Sequence, residues 1–187
     1  MDVTEQDQGV RPGKSLGTRT DGRFRVQQTS GGIHPDEPGQ SAAPVASQMR
    51  IAIDTREPWP HPWAPYYSAH FILERATLDT GDMALAALPD GALVERKTVS
   101  DLLGCIGKGR ERFERELKRS RYCGRLIVIV EGTLAEVLHE TRTIHPNAIL
   151  GTLAAWQRRF PPFCFAGRQE TAARLAESFL RGQFRDA

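Results

Sequence analysis

The run Arg125-Leu126-Ile127-Val128-Ile129-Val130 constrains this chain more than any other stretch. Five consecutive apolar residues, four of them β-branched, leave no polar face, so the strand they form must be covered on both sides as in a parallel sheet. The covers lie immediately downstream. Glu131-Gly132 closes the strand and Thr133 caps a helix over Leu134–Glu140. A second helix lies between Thr143 and Phe160, begins after Pro146 and is stopped by Pro161-Pro162. Phe163–Ala166 reads as a last strand. Gly167 leads into a final helix with Ala172, Leu175, Ala176, Phe179 and Leu180 on one face.

The first half of the chain is rich in hairpin signals. Arg50–Asp54 is a short apolar strand, and Phe71–Leu78 is another. Between them Pro58, Pro60, Pro62 and Pro65 forbid regular pairing in an aromatic loop. Gly81 suits a backbone bend. Met83–Leu88 and Ala92–Lys97 then read as paired strands joined by a Pro89-Asp90-Gly91 turn. A helix begins near Thr98 or Ser100, Ser100 being a good N-cap, breaks at Gly107-Lys108-Gly109 and resumes over Arg110–Arg121. Leu102, Ile106, Phe113 and Leu117 form its buried stripe. Hairpins followed by βαβ-like units predict an α/β protein with a mixed central sheet flanked by helices on both faces.

Residues 1–48 are dominated by Gly, Gln, Ser, Thr, Pro and Asp, with Phe24 the sole aromatic. Such a segment buries too little apolar surface to offset its chain entropy and reads as a disordered tail. Gly13-Lys14-Ser15 does not make a phosphate-binding loop, because its leading glycine is one residue too close and no strand precedes it. Residues 49–187 are then one domain. The net charge of +2 is too small to point to nucleic acid by itself, so local charge placement has to carry that argument. Three cysteines without a C-x-x-C pair argue against disulfides or structural zinc. No apolar run nears the ~20 residues that span a bilayer, and no signal-peptide core is present, so the expectation is an intracellular, cytoplasmic protein without a membrane partner.

The chemistry concentrates between Gly81 and Asp101. Asp82 opens one strand, and Glu95 and Lys97 lie near the end of the next. Alternation along the strand puts Glu95 and Lys97 on one face and Arg96 on the other. Asp54 ends the first strand and continues as Thr55-Arg56-Glu57. Carboxylates converging with a lysine form a hard-cation site with an ammonium group beside it. Clustered carboxylates would repel one another without a cation.

D-x-R-E, then G-D, then E-R-K-x3-D, each beside a predicted strand, resembles the nuclease domain of the XPF family of structure-specific DNA endonucleases, within the PD-(D/E)XK superfamily. The resemblance runs from about Met49 to the C-terminus and is nearest to the compact versions of phages and bacteria. The helicase part and tandem helix-hairpin-helix module of longer members have no counterpart here. It implies a restriction-endonuclease-like α/β/α fold, Mg²⁺ or Mn²⁺, and branched or flap DNA in repair or recombination. It also implies a homodimer or a partner subunit. Asp82, Glu95 and Asp54 would be metal ligands, with the Arg96 carbonyl as a neutral one. Lys97 would orient water or stabilise the anionic transition state. Arg56 would contact the scissile phosphate or fix a carboxylate. Arg96, Glu57 and Asp101 would support the site, Asp101 having helix capping as its other reading.

Lys108, Arg110 and Arg112 come directly after and suit phosphate contacts, because the basic residues of this helix outnumber the acids able to pair with them. Trp59 and Trp63 either pack beside the site, the favoured reading, or stack on unpaired bases. Two rivals remain. A non-catalytic DNA-binding module of the same fold, supporting a nuclease partner, would have an eroded acidic set, yet Asp54, Asp82, Glu95 and Lys97 are all present. An α/β interaction domain without nucleic acid would show no salt-dependent DNA retention.

Overall fold

A computed structural model describes residues 48–120, 124–141 and 143–183. The tail expected to be disordered falls outside the described residues, apart from Gln48. The strands are β1 (Met49–Asp54), β2 (Phe71–Ala76), β3 (Met83–Leu85), β4 (Leu88–Thr98), β5 (Arg125–Glu131) and β6 (Phe163–Phe165). The helices are α1 (Val99–Ile106), α2 (Arg110–Arg119), α3 (Leu134–Glu140), α4 (Pro146–Arg159) and α5 (Gln169–Gly182). Ala64–Tyr66 forms a 3₁₀ turn.

The sheet order is β2-β1-β3-β4-β5-β6. β3 runs antiparallel to both neighbours, and the other pairings are parallel. β1, β2, β4, β5 and β6 therefore end at one edge of the sheet, which is where clefts form in α/β proteins. β5 is buried from Leu126 to Val130, as its composition demands. Its even-numbered residues pack with Leu102, Phe113, Leu117, Val137, Ile149 and Trp156 of α1–α4. Ile127 and Ile129 pack on the opposite face with Ala172, Ala176 and Leu180 of α5 and with Trp63. The result is a three-layer α/β/α sandwich, with four helices over one face and α5 with the proline-rich loop over the other.

Three local expectations shift. The hairpin reverses at Ala86-Ala87, with Leu85 paired to Leu88, and Pro89-Asp90-Gly91 belongs to the start of β4. A register irregularity between Ala84 and Leu85 accompanies the early reversal, and Ala86 N–H still bonds to Arg50 O (2.9 Å). Gly124 N–H holds Asp90 O at 2.7 Å, so tertiary pairing overrides the turn residues. The first helix is capped by Thr98, whose hydroxyl accepts Asp101 N–H at 3.1 Å, and Ser100 sits inside it. α2 ends at Arg119 with Ser120 as its C-cap. Thr133 caps α3 as expected, and α4 starts at Pro146 itself rather than after it. Thr133 and Glu136 form a reciprocal capping box, and Pro146 opens α4 behind His145.

Candidate active site

Two neighbouring strands and a bend assemble the acidic end of the sheet. Gly81 has φ +75°, and an added Cβ would lie 3.3 Å from Val94 O, so this position suits glycine. The bend sets Asp82 N–H on Val94 O (2.8 Å) and Asp82 O on Asp54 N–H (2.8 Å), locking the residue between β4 and β1. The Asp82 carboxylate accepts Arg96 N–H at 2.8 Å.

Strand alternation now sorts the side chains. Ala52, Ala84 and Leu93 face the α1–α4 layer, which places Asp54, Asp82, Glu95 and Lys97 on that face. Glu95 is buried, at 2% exposure, and takes the Lys97 ammonium as its partner. That ammonium also lies 5.1 Å over the Phe113 ring of α2.

The electrostatics follow from this packing. Burial and then the charge of Glu95 push the Asp82 carboxyl well above the ordinary carboxylate range, against the pull of Lys97. Burial also raises Glu95; Lys97 opposes this and Glu116 adds to it. Burial works against the Lys97 ammonium, but Glu95 and Asp82 outweigh it and hold the lysine charged above its usual range.

Asp54 is placed differently from the other two carboxylates. It is fully buried, and its oxygens already accept Arg56 N–H (2.9 Å), Arg56 Nε–H (2.5 Å) and Leu78 N–H (2.8 Å). Burial tends to raise its pKa, but these bonds overcome that and hold it below the ordinary value. Arg56 thus fixes a carboxylate, one of the two roles foreseen for it. Its side chain stays 66% exposed, within the fields of Asp82 and Glu116.

On the far face Arg96 joins three elements. Its Nε–H donates to Glu131 at the end of β5 (2.6 Å), and a terminal nitrogen donates to Glu57 after β1 (3.2 Å). Glu131 also accepts the Trp63 indole N–H and Gln169 of α5 (3.3 Å). Trp63 N–H donates to His61 Nδ1 (3.2 Å), which leaves His61 Nε2 facing Glu57 at 3.5 Å. Burial would raise Glu57, but His61 and Arg96 bring it below its ordinary value. Glu57 therefore supports the sheet end from behind through an ion pair.

The remaining expectations divide. The Asp101 carboxylate accepts Thr98 Oγ1–H (2.7 Å) on the exposed first turn of α1 and makes no bond to Asp82 or Glu95. That is the capping reading. Arg110 donates to Thr152 (2.6 Å), pairs with Glu114 (3.4 Å) and lies 5.8 Å over Trp156, tying α2 to α4. Lys108 and Arg112 are exposed. Glu114 pairs with Arg110 and accepts the Trp156 indole N–H (2.9 Å). Sequence reasoning missed Glu131 and Glu116. Glu131 ends an apolar strand and had looked like a terminator. Glu116 is half-buried one turn after Phe113, and its position beside the buried stripe was the available signal.

Among the described residues no group of three or more His, Cys, Asp or Glu side chains stands together as a complete ion cage. Asp82 and Glu95 nevertheless fit a hard divalent ion of the Mg²⁺ type, which keeps several waters and takes few protein oxygens. Burial first, and neighbouring carboxylates after it, raise both groups, and a bound cation would favour their ionised forms.

No curated protein matches the chain closely enough to count as a relative. The fold is similar to two solved structures, XPF from Aeropyrum pernix and the same protein in complex with DNA. The first has TM-score 0.55 and 22% identity, over 71% of this chain and 60% of that one. The second has TM-score 0.56 and 21% identity, over 74% of this chain and 66% of that one. The chain thus spans less than two thirds of either, and the likeness is one of fold. The ERCC4 domain matches residues 53–177, a span that holds Asp54, Arg56, Asp82, Glu95 and Lys97 and more than half of the chain. By that match, and by the α/β/α sandwich that carries it, this chain belongs to the ERCC4 domain family.

Proposed function

We propose that this protein is a metal-dependent DNA endonuclease of the XPF type that hydrolyses phosphodiester bonds in branched or flap DNA, as in repair or recombination. The observation that carries the reading is the buried Asp82–Glu95–Lys97 group, in which repelling carboxylates and a strongly held ammonium share one sheet face. Buried carboxylates raised above their ordinary range beside a held ammonium are the kind of group a bound cation would compensate. Asp82 and Glu95 would hold Mg²⁺ or Mn²⁺. The ion, when bound, supplies charge neutralisation and a lowered water pKa.

The chain's own residues do the rest. Lys97, charged at any working pH and clamped by Glu95 and Phe113, presents a fixed positive charge to the developing phosphorane. Arg56, exposed beyond its bond to Asp54, is positioned to meet a phosphate oxygen. Asp54 acts by orienting Arg56 and bracing Leu78 rather than as a direct ligand. Lys108, in the turn before α2, and Arg112, on α2, are the phosphate contacts, with Arg110 holding α2 in place. A second copy or a partner subunit would extend the DNA contact. Among the described residues no helix is long and apolar enough to cross a membrane.

The test is cleavage of labelled flap, fork and linear DNA with Mg²⁺ or Mn²⁺ by wild type, Asp82→Ala and Lys97→Ala. Wild type should cut branched DNA, and both variants should bind it without cutting. Binding by wild type without cutting under either metal would replace this reading by a non-catalytic module that supports a nuclease partner.

A further inference from the structure

The proline-rich loop between β1 and β2 carries two tryptophans with opposite fates. Trp63 is completely buried, its indole bonded to Glu131. Trp59 is 48% exposed, the largest exposure of any large hydrophobic among the described residues. Burying such a ring is favourable, and leaving it open forgoes that gain. The loop is nevertheless built to hold it out. Pro58 and Pro60 flank it and restrict the backbone. The Arg75 guanidinium lies 5.8 Å from the ring centroid, and Arg75 is itself anchored to Thr55 O at 2.5 Å.

Thr55 lies between Asp54 and Arg56, so the platform is tied to the sheet edge that carries the acidic site, with Arg75, the register partner of Ile53, on the α5 face of that edge. β2 and β4 are separated by two strands in the sheet, which at about 4.8 Å per step is roughly 15 Å. We infer that Trp59, backed by Arg75, is a stacking platform for an unpaired nucleobase of the DNA, a few nucleotides from the phosphate to be cut. A duplex offers no free base face along its length, whereas the unpaired arm at a branch does. Indole stacks on any base, so the platform reads the single-stranded state and not sequence. The Arg75 cation strengthens the aromatic stack and adds attraction for the adjacent phosphate. This platform would contribute the preference for branched DNA.

The inference rests on the nuclease reading, and the test separates them. Binding is measured by fluorescence anisotropy in EDTA, with a fork bearing an unpaired arm and with blunt duplex of equal length. Trp59→Ala should weaken fork binding roughly 5- to 150-fold, the range that base–aromatic stacking supports. Duplex binding should change less than about 2-fold, and Trp59→Phe should retain fork binding within about 3-fold. Quenching of tryptophan emission by the fork should be much reduced in Trp59→Phe. Circular dichroism checks that both variants are folded, as the exposed position leads us to expect.

Equal losses on fork and duplex, or no loss on either, would overturn the platform. So would unchanged DNA binding with a changed sedimentation coefficient, which makes Trp59 a protein contact. If wild type cuts forks while Trp59→Ala binds and cuts them equally well, the platform fails and the nuclease reading stands. If wild type retains no DNA at any salt, both fall.

Discussion

Arg96→Met probes the network behind the site while keeping a side chain of similar length. In wild type the Arg96 side chain is 11% exposed, Glu131 8% and Glu57 16%. The substitution removes the cation and leaves two nearly buried carboxylates facing each other across the end of β4. Breaking a buried pair costs about 3–5 kcal/mol, mostly because the surviving charge is stranded. Partial exposure of Glu57 argues for the lower end, so the expected loss is about 3 kcal/mol. For a fold of this size that corresponds to roughly 10 °C in Tm.

Urea unfolding in EDTA, followed by circular dichroism and by tryptophan emission, measures the loss. Glu131→Gln and Glu57→Gln added to Arg96→Met should restore about half of it by removing the stranded charges. The deficit of the single variant should also shrink as pH falls, since Arg96 helps to hold Glu57 below its ordinary range and the stranded Glu57 then takes up a proton. A loss below about 1 kcal/mol, or no recovery in the triple variant, would show that Arg96 is a solvated surface residue and refute the network.

Asp82 and Asp54 should respond to pH in opposite directions. Asp82 has a raised folded-state pKa, so its favourable contribution exists at pH below the ordinary carboxylate range and disappears as pH rises through the elevated value. Asp82→Asn should therefore stabilise the metal-free protein at pH 7.5 by roughly 1 kcal/mol, and less at pH 4. Mn²⁺ at 100 times its Kd should add about 2.7 kcal/mol to wild type and little to Asp82→Asn, read as a Tm shift. Asp54 is depressed, so its contribution is present above the ordinary range and lost as pH falls through the folded value. Asp54→Ala should cost about 3 kcal/mol at neutral pH by orphaning Leu78 N–H and the Arg56 donors, with a smaller deficit in acid. Chemical denaturation at pH 4 and 7.5 checks both; parallel shifts in the two variants would contradict the assignment.

Much of the architecture was legible because its signals are local and redundant. RLIVIV admits few environments, Thr133 after Glu131-Gly132 marks a cap, and Pro146 and Pro161-Pro162 bracket α4. The family resemblance was likewise carried by residues at fixed spacing beside predicted strands. Pro89-Asp90-Gly91 misled because turn propensity is worth little against a ladder: β4 extends to Leu88, and Gly124 N–H takes the Asp90 carbonyl. Of the two starts open in the sequence, Thr98 and Ser100, the structure takes Thr98, which has the extended backbone a cap requires.

The sequence by itself determined which groups could do the chemistry and which strand face each would occupy, since period-two alternation follows from backbone geometry alone. It put Glu95 with Lys97 and turned Arg96 away. Only the tertiary structure decided what each charge meets. Asp54 and Asp82 both lie at the site end of the sheet, yet one is saturated by Arg56 and Leu78 while the other faces Glu95. Arg110 became a brace against Thr152, and Trp59 parted from Trp63, because those partners come from elements distant in the chain. A side chain's ionisation and availability depend on what is packed against it, and that is set only when the layers close.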